Sequence, residues 1–362
     1  MKVKKTVIIG TVLLLISLLI HLYSLSEIRV ENGYSSHFSP AFSRFLRQCI
    51  GRLPISIGDL LYGFLAFWIS WSCIKFFRNI FSRNQQFERR IYLFHVILRL
   101  FIFCSSMYII FNLVWGINYN RKGIAWQLGL DMKKYTENDL EEINCLLVQK
   151  INLSKKKFTG YKLEYPSNKI LYSMVSVAYL NVASRYPFLA YKPPSLKTSM
   201  WGWLGNYTGF TGYYNPFTGE AQLNTAVPKF LHPFIACHEV AHQLGYAKEM
   251  EANFVGYLAA SASPDPGFRY SVYLDLFIYA NRNLFSQDST IAKLYSRELD
   301  TAVIADLKEW ARFNKKHQNP VEPVVRWIYG KYLEGNSQPQ GILSYDEVTA
   351  FIISYYKKFG RI

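Results

Sequence analysis

Three long apolar runs occupy the first third of this 362-residue chain, and they limit its fold more than any other feature. They cover residues 7–25, 57–77 and 91–115. A helix of about 20 residues crosses a hydrocarbon core of ~30 Å, so each run is long enough to span a bilayer. The polar residues inside them are Asp59, Lys75, His95 and Arg99. Most lie near the ends, where long side chains reach the headgroups. The first run follows the basic stretch MKVKK, but no A-x-A-like cleavage site comes after it. It therefore reads as an uncleaved anchor. The chain divides into a membrane anchor of three transmembrane helices, residues 1–117, and a second unit, residues 118–362.

The formal net charge of +16 invites a nucleic-acid reading, but its distribution argues otherwise. Residues 1–117 hold 13 Lys/Arg against 4 Asp/Glu, whereas the remaining residues hold 28 against 21. The dense excess lies among the apolar runs, where it sets topology. Lys2, Lys4 and Lys5 precede the first run, and Lys75, Arg78, Arg83, Arg89 and Arg90 surround the second loop. Both clusters face the cytoplasm if the N-terminus is cytoplasmic, which makes the protein a multi-pass protein of the cell membrane. Residues 26–56 and everything after residue 118 then lie outside. No aromatic and basic residues recur at nucleic-acid-binding spacing, so the expected partners are the lipid bilayer and a substrate, with no nucleic acid.

The second unit reads as α+β and mostly α. Thr136 caps a helix whose Leu140, Ile143, Leu147 and Ile151 share one face, and Ser167 opens another that reaches about Arg185. Residues 196–224 turn rich in Gly, Tyr, Trp and Thr. The run Asn215-Pro216-Phe217-Thr218-Gly219 marks a turn, which predicts a small sheet or hairpin there. Ser344 with Glu347 has capping-box spacing before a last helix. Of five cysteines, Cys73 and Cys104 lie in apolar runs. Cys145 and Cys237 could pair, although two buried free thiols are the simpler reading.

Chemistry enters at His238-Glu239-Val240-Ala241-His242. Histidines four apart on a helix lie about 40° apart around it and one turn apart along it, so both imidazoles can reach one zinc ion. Glu239 is rotated by about 100° from His238, which suits a base acting on the zinc-bound water better than a ligand. Two satisfied core histidines are the bland alternative. The apolar flanks Phe234, Ile235, Val240 and Ala241 count against it, because a buried His-Glu-His group without a metal is costly. A catalytic zinc takes three protein ligands. Gly245 can end the helix in a left-handed cap and return the chain, bringing either Glu249 or Glu251 to the metal. A third histidine at position 248 is excluded, since Lys248 stands there.

These stretches carry a resemblance. HEVAHQLGYAKEMEANFVGYLA, TGYYNPFTGEAQLN and GILSYDEV resemble the bacterial membrane-protein family catalogued as domain of unknown function 3810. The resemblance runs over nearly the whole chain and implies a zincin-like core. More distantly, Glu249-Met250-Glu251-Ala252-Asn253 is similar to the E-x-x-A-D element of membrane-bound gluzincin peptidases. That likeness implies Glu249 as the third ligand. It also places Asn253 where those enzymes carry an Asp that hydrogen-bonds a ligand histidine.

The resulting expectation is a membrane-anchored zinc metallopeptidase that cleaves peptide or protein substrates. Zn2+ is held by His238, His242 and Glu249, with Glu251 as the alternative, and Glu239 is the catalytic base. Tyr207, Tyr213, Tyr214, Tyr246, His317 and Arg326 are candidate oxyanion stabilisers, though in a chain with 27 Tyr a packing role is the simpler reading of each. Residues 213–224 could pair with an extended substrate or form an ordinary hairpin. The competing expectation is a non-catalytic receptor or scaffold with a structural zinc site.

Overall fold

A computed structural model of the chain describes residues 2–81, 86–160, 165–341, 343 and 347–362. The molecule is mostly helical, with one small sheet. The N-terminal part contains α1 (Lys2–Ser24), α2 (Glu27–Arg29), α3 (Ser39–Ile50), α4 (Ile57–Phe81) and α5 (Gln86–Val114). Then follow α6 (Gly123–Leu128), α7 (Glu137–Gly160), α8 (Asn168–Arg185), β1 (Leu196–Thr198), α9 (Gly202–Thr208), β2 (Gly212–Asn215) and β3 (Glu220–Leu223). The rest is α10 (His232–Gln243), α11 (Glu249–Ser261), α12 (Pro266–Gln287), α13 (Ser289–Arg297), α14 (Thr301–His317), α15 (Glu322–Gly335) and α16 (Val348–Phe359).

Among the described residues three helical stretches are long and apolar enough to cross a membrane: Lys5–Ser24, Ile57–Phe81 and Arg89–Val114. Their apolar side chains face outward, with Phe64, Phe67, Ile74 and Ile97 all exposed. Surfaces this apolar are stable against lipid rather than water.

The linker between the first two runs is itself folded, which its composition did not announce. Residues Val30–Phe38 form a π-helix leading into α3. Glu31 is buried in an ion pair with Arg121 at 2.7 Å. Ser43 Oγ and Arg47 Nη1 both donate to the carbonyl of Gln243, the last residue of α10. A cation at a helix C-terminus satisfies an orphan carbonyl and complements the dipole. The N-terminus of α4 is held in the opposite sense: Glu220 on β3 accepts the amides of Ile57 and Gly58. Residues 27–59, on the N-terminal side of the expected boundary at 117, therefore pack against the helices and sheet of the later part.

The sheet has the order β1-β3-β2, with β1 parallel and β2 antiparallel to β3. The expected turn lies between β2 and β3. Asn215 Oδ1 accepts the amides of Phe217 and Thr218, and Gly219 takes φ +68°. The expected helix starts appear as well. Thr136 and Asp139 cap α7 reciprocally, and Ser167 precedes α8. The predicted face of α7, Leu140, Ile143, Leu147 and Ile151, is fully buried in the main core together with residues of α12. The capping box beginning at Ser344 lies outside the described residues. All five cysteines are free, in line with the simpler reading of Cys145 and Cys237 as separate thiols, although only Cys237 is buried and Cys145 is half-buried.

Candidate metal centre

Helix α10 is buried along its whole length, and its sequence explains where it stops. Pro233 sits in its first turn, where no amide partner is needed. At the other end Gly245 takes φ +86°. Its amide donates to His242 O, and the amide of Tyr246 donates to Ala241 O at 3.2 Å. These two bonds form a Schellman motif, which a left-handed glycine permits. The chain then reverses through Lys248 into α11.

That reversal assembles the site. His238 Nε2 lies 3.3 Å and His242 Nε2 3.4 Å from the same oxygen, Oε2 of Glu249. Tetrahedral zinc with bonds of about 2.0–2.1 Å places its ligand atoms about 3.3–3.4 Å apart, so each histidine nitrogen stands from Glu249 Oε2 at the separation such an ion requires. Oε2 of Glu249 has no hydrogen-bond partner among the described residues, whereas its other oxygen accepts from Tyr329 Oη at 2.6 Å. The donor set of two imidazoles and one carboxylate suits zinc. Glu251 points elsewhere: its carboxylate presses on Gly123, where an added Cβ would come within 1.7 Å of Oε1. Of the two acids left open by the sequence, the fold brings Glu249 to the histidines.

The surroundings orient the ligands. His242 Nδ1 lies 2.8 Å from the Tyr246 carbonyl. A carbonyl can only accept, so Nδ1 carries the proton and Nε2 keeps its lone pair for a metal. Trp115, just beyond α5, donates its indole N–H to His242 O at 3.1 Å. Gln338 accepts the amide of Glu249 at 2.8 Å. Burial alone would raise the carboxyl of Glu249, but His242 and His238 overcome it and hold it well below the usual range. Burial works against a proton on His238, yet its contact with Glu249 and the charges of Glu239, Glu249 and Asp275 push it up to about 9. Neighbouring negative charge of this kind favours a cation between these groups.

Glu239 stands beside the ligand group, its ligand-type atoms within 4.8 Å of those of His238 and His242. Burial raises its carboxyl to about 7, against the pull of the two histidines. Its Oε2 has no hydrogen-bond partner among the described residues. Its other oxygen lies against Gly212 on β2, where a Cβ would fall 2.6 Å from Oε1 and 2.9 Å from the backbone oxygen of Gln222. Only glycine admits so close an approach of sheet to carboxylate. A cavity of about 280 Å³ adjoins it, lined by Gly212, His238, Glu239, Asn253, Asp275 and Arg282. Asn253 faces this cavity, with Nδ2 lacking a partner among the described residues.

Four of the six candidate oxyanion groups have polar partners elsewhere, and Tyr207 and Tyr214 pack on other rings. Tyr213 donates to Asp59, Tyr246 to Gln127, and Arg326 pairs with Glu322. His317 bonds the Phe313 carbonyl and packs on Tyr207, while Tyr214 packs on Trp115. The sequence reading missed Tyr329, Gln338 and Asp275. Asp275 had a signal, as a lone acid within the apolar helix α12, and burial raises it to about 7. Tyr329, one of 27 tyrosines and 80 positions beyond Glu249, had none.

Three apolar helices, a helical body with one small sheet and a His/Glu/His cluster able to hold a metal define the class. The chain belongs to the family described as protein of unknown function (DUF3810), whose model matches residues 34–353. The match begins in the folded linker and runs through α4, α5 and the metal centre. No curated protein and no solved structure matches the chain.

Proposed function

We propose that this protein is a membrane-anchored zinc-dependent peptidase with a zincin-like core. The observation that carries the reading is the convergence of His238 Nε2, His242 Nε2 and Glu249 Oε2 at 3.3–3.4 Å, with Glu239 buried alongside and outside that set. A structural site has no use for a buried carboxylate next to its ligands, so Glu239 favours catalysis over the receptor or scaffold alternative.

Zinc held there would supply an activated water and polarise a scissile carbonyl. The remaining work falls to the chain. Glu239 accepts a proton at its unpartnered Oε2 and returns it to the leaving amine. Strand β2 is an edge of the sheet, and its Gly212 lies against Glu239. An extended peptide adding to that edge would bring its backbone past Glu239.

In this reading the N-terminus is cytoplasmic and the metal centre extracytoplasmic. The basic residues Lys5, Lys75, Arg78, Arg89 and Arg90 support that orientation. The packing of residues 27–59 on the metal-bearing body puts both on one side of the bilayer, as a chain with three spans requires. Metal analysis of the full-length protein in detergent tests the premise. Wild type should hold one zinc per chain and His242→Ala close to none; equal metal in both rejects the site.

A further inference from the structure

Two short helices near the metal centre carry apolar faces that none of the described residues covers. On α9 and just before it, Met200, Trp203, Leu204 and Tyr207 are exposed, Trp203 to 59%. On α15 and just before it, Val321, Val324, Trp327 and Ile328 are exposed, Trp327 to 65%. The opposite side of α15 faces the site, where Tyr329 bonds Glu249. An exposed aromatic surface of this kind on two neighbouring helices requires an occupant.

The position of these helices says which. Trp201, at the start of α9, donates its indole N–H to Asp59 O in the first turn of α4 and lies against Gly63 one turn further on. Tyr332 of α15 packs its ring on Phe111, in the last turn of α5, at 6.4 Å. Both helices are thus anchored where an apolar span ends, at the level of the headgroups. Trp and Tyr concentrate at that level because one end of each ring is apolar and the other polar. Arg326 and Lys331 on α15 are exposed, each paired with a carboxylate of its own helix, Glu322 and Glu334. Between α4 and β2 runs an apolar groove of about 550 Å³, lined by Tyr62, Gly63, Ala66, Leu204, Phe210 and Gly212. One of its walls is the side of an apolar span, and Gly212, which also lines it, lies against Glu239.

We propose that the bilayer itself covers these faces: α9 and α15 lie in the membrane interface, and the groove between α4 and β2 opens sideways to lipid. The metal centre is then loaded from the plane of the membrane. Combined with the peptidase reading, on which this last step rests, the substrate class is membrane-anchored polypeptide cut close to where it leaves the bilayer.

The seating of α9 and α15 is measurable without any activity. Nitroxides are attached to single cysteines introduced by Trp203→Cys, Trp327→Cys and, as control, Leu294→Cys on α13. The background is full-length protein with its five native cysteines replaced, shown to retain its zinc, in phosphatidylcholine vesicles. Collision with oxygen should exceed collision with a water-soluble nickel chelate several-fold at positions 203 and 327, relative to 294. Equal access of nickel to all three positions rejects the proposal. So does protection of 203 and 327 from both reagents, which would mean a protein cover. Where a cysteine variant fails to hold zinc, Trp203→Phe and Trp327→Phe serve instead: each should remove part of the tryptophan quenching caused by brominated lipid, and unchanged quenching rejects the proposal. Lipid contact without peptide cleavage would leave the seating intact and remove only the peptidase reading.

Discussion

The carbonyl of Tyr246 accepts a hydrogen bond from Nδ1 of His242 at 2.8 Å, so the loop that ends the metal helix also fixes its second histidine. The carbonyl is aimed by Gly245 at φ +86°. A residue with a Cβ in that conformation costs about 1–2 kcal/mol. Gly245→Ala should therefore lower stability by about that amount in denaturant titration. Turning the carbonyl should also weaken zinc binding by about 10–100-fold. Unchanged zinc affinity would mean that His242 is oriented by other contacts.

The two acids at the start of α11 should separate cleanly. Glu249→Gln should lose most bound zinc, because Oε2 lies between both histidines. Glu251→Gln should keep it, since that buried carboxyl, raised mainly by burial, presses on Gly123 and not on the metal site. Zinc stoichiometry by mass spectrometry under native conditions decides the matter. The opposite pattern would move the ligand to Glu251.

Tyr329 holds the outer oxygen of Glu249 through a bond of 2.6 Å. Tyr329→Phe removes one hydroxyl and should leave the fold intact. Zinc affinity should fall about 10–100-fold, as for other groups that orient a ligand. Chelator competition measures this, and an unchanged affinity would make the bond incidental.

Gly212 predicts a different phenotype. Alanine there would meet the backbone oxygen of Gln222 at 2.9 Å as well as the Glu239 carboxylate. Gly212→Ala should keep zinc, because no ligand is touched, yet displace Glu239 and lower any hydrolysis at least tenfold. Zinc loss in this variant would show that the sheet supports the ligands too.

The local elements were legible because each has a short-range cause. The Schellman glycine, the Asn215 turn, the Thr136 cap and the apolar face of α7 are all written within a few residues. Likewise, the His238 to Glu249 reversal needs only one helix, one glycine and a second helix. What stayed hidden depends on distant partners. Nothing near Ser43 or Arg47 says that they cap α10 some 200 residues later. Nothing near Glu220 says that it holds the start of α4. The folded linker therefore read as loop, and Tyr329 read as one tyrosine among many.

Substitution of Glu239 tests the central claim most directly. Glu239→Gln preserves shape and leaves all three ligand atoms in place, so the full-length protein should retain one zinc per chain. Its amide cannot take a proton, and hydrolysis of membrane-anchored peptides in proteoliposomes should fall by about 10²–10⁴-fold. Wild-type cleavage should stop with a chelator and return with zinc. Wild type and Glu239→Gln binding zinc equally and behaving identically in every cleavage assay would contradict the enzyme reading.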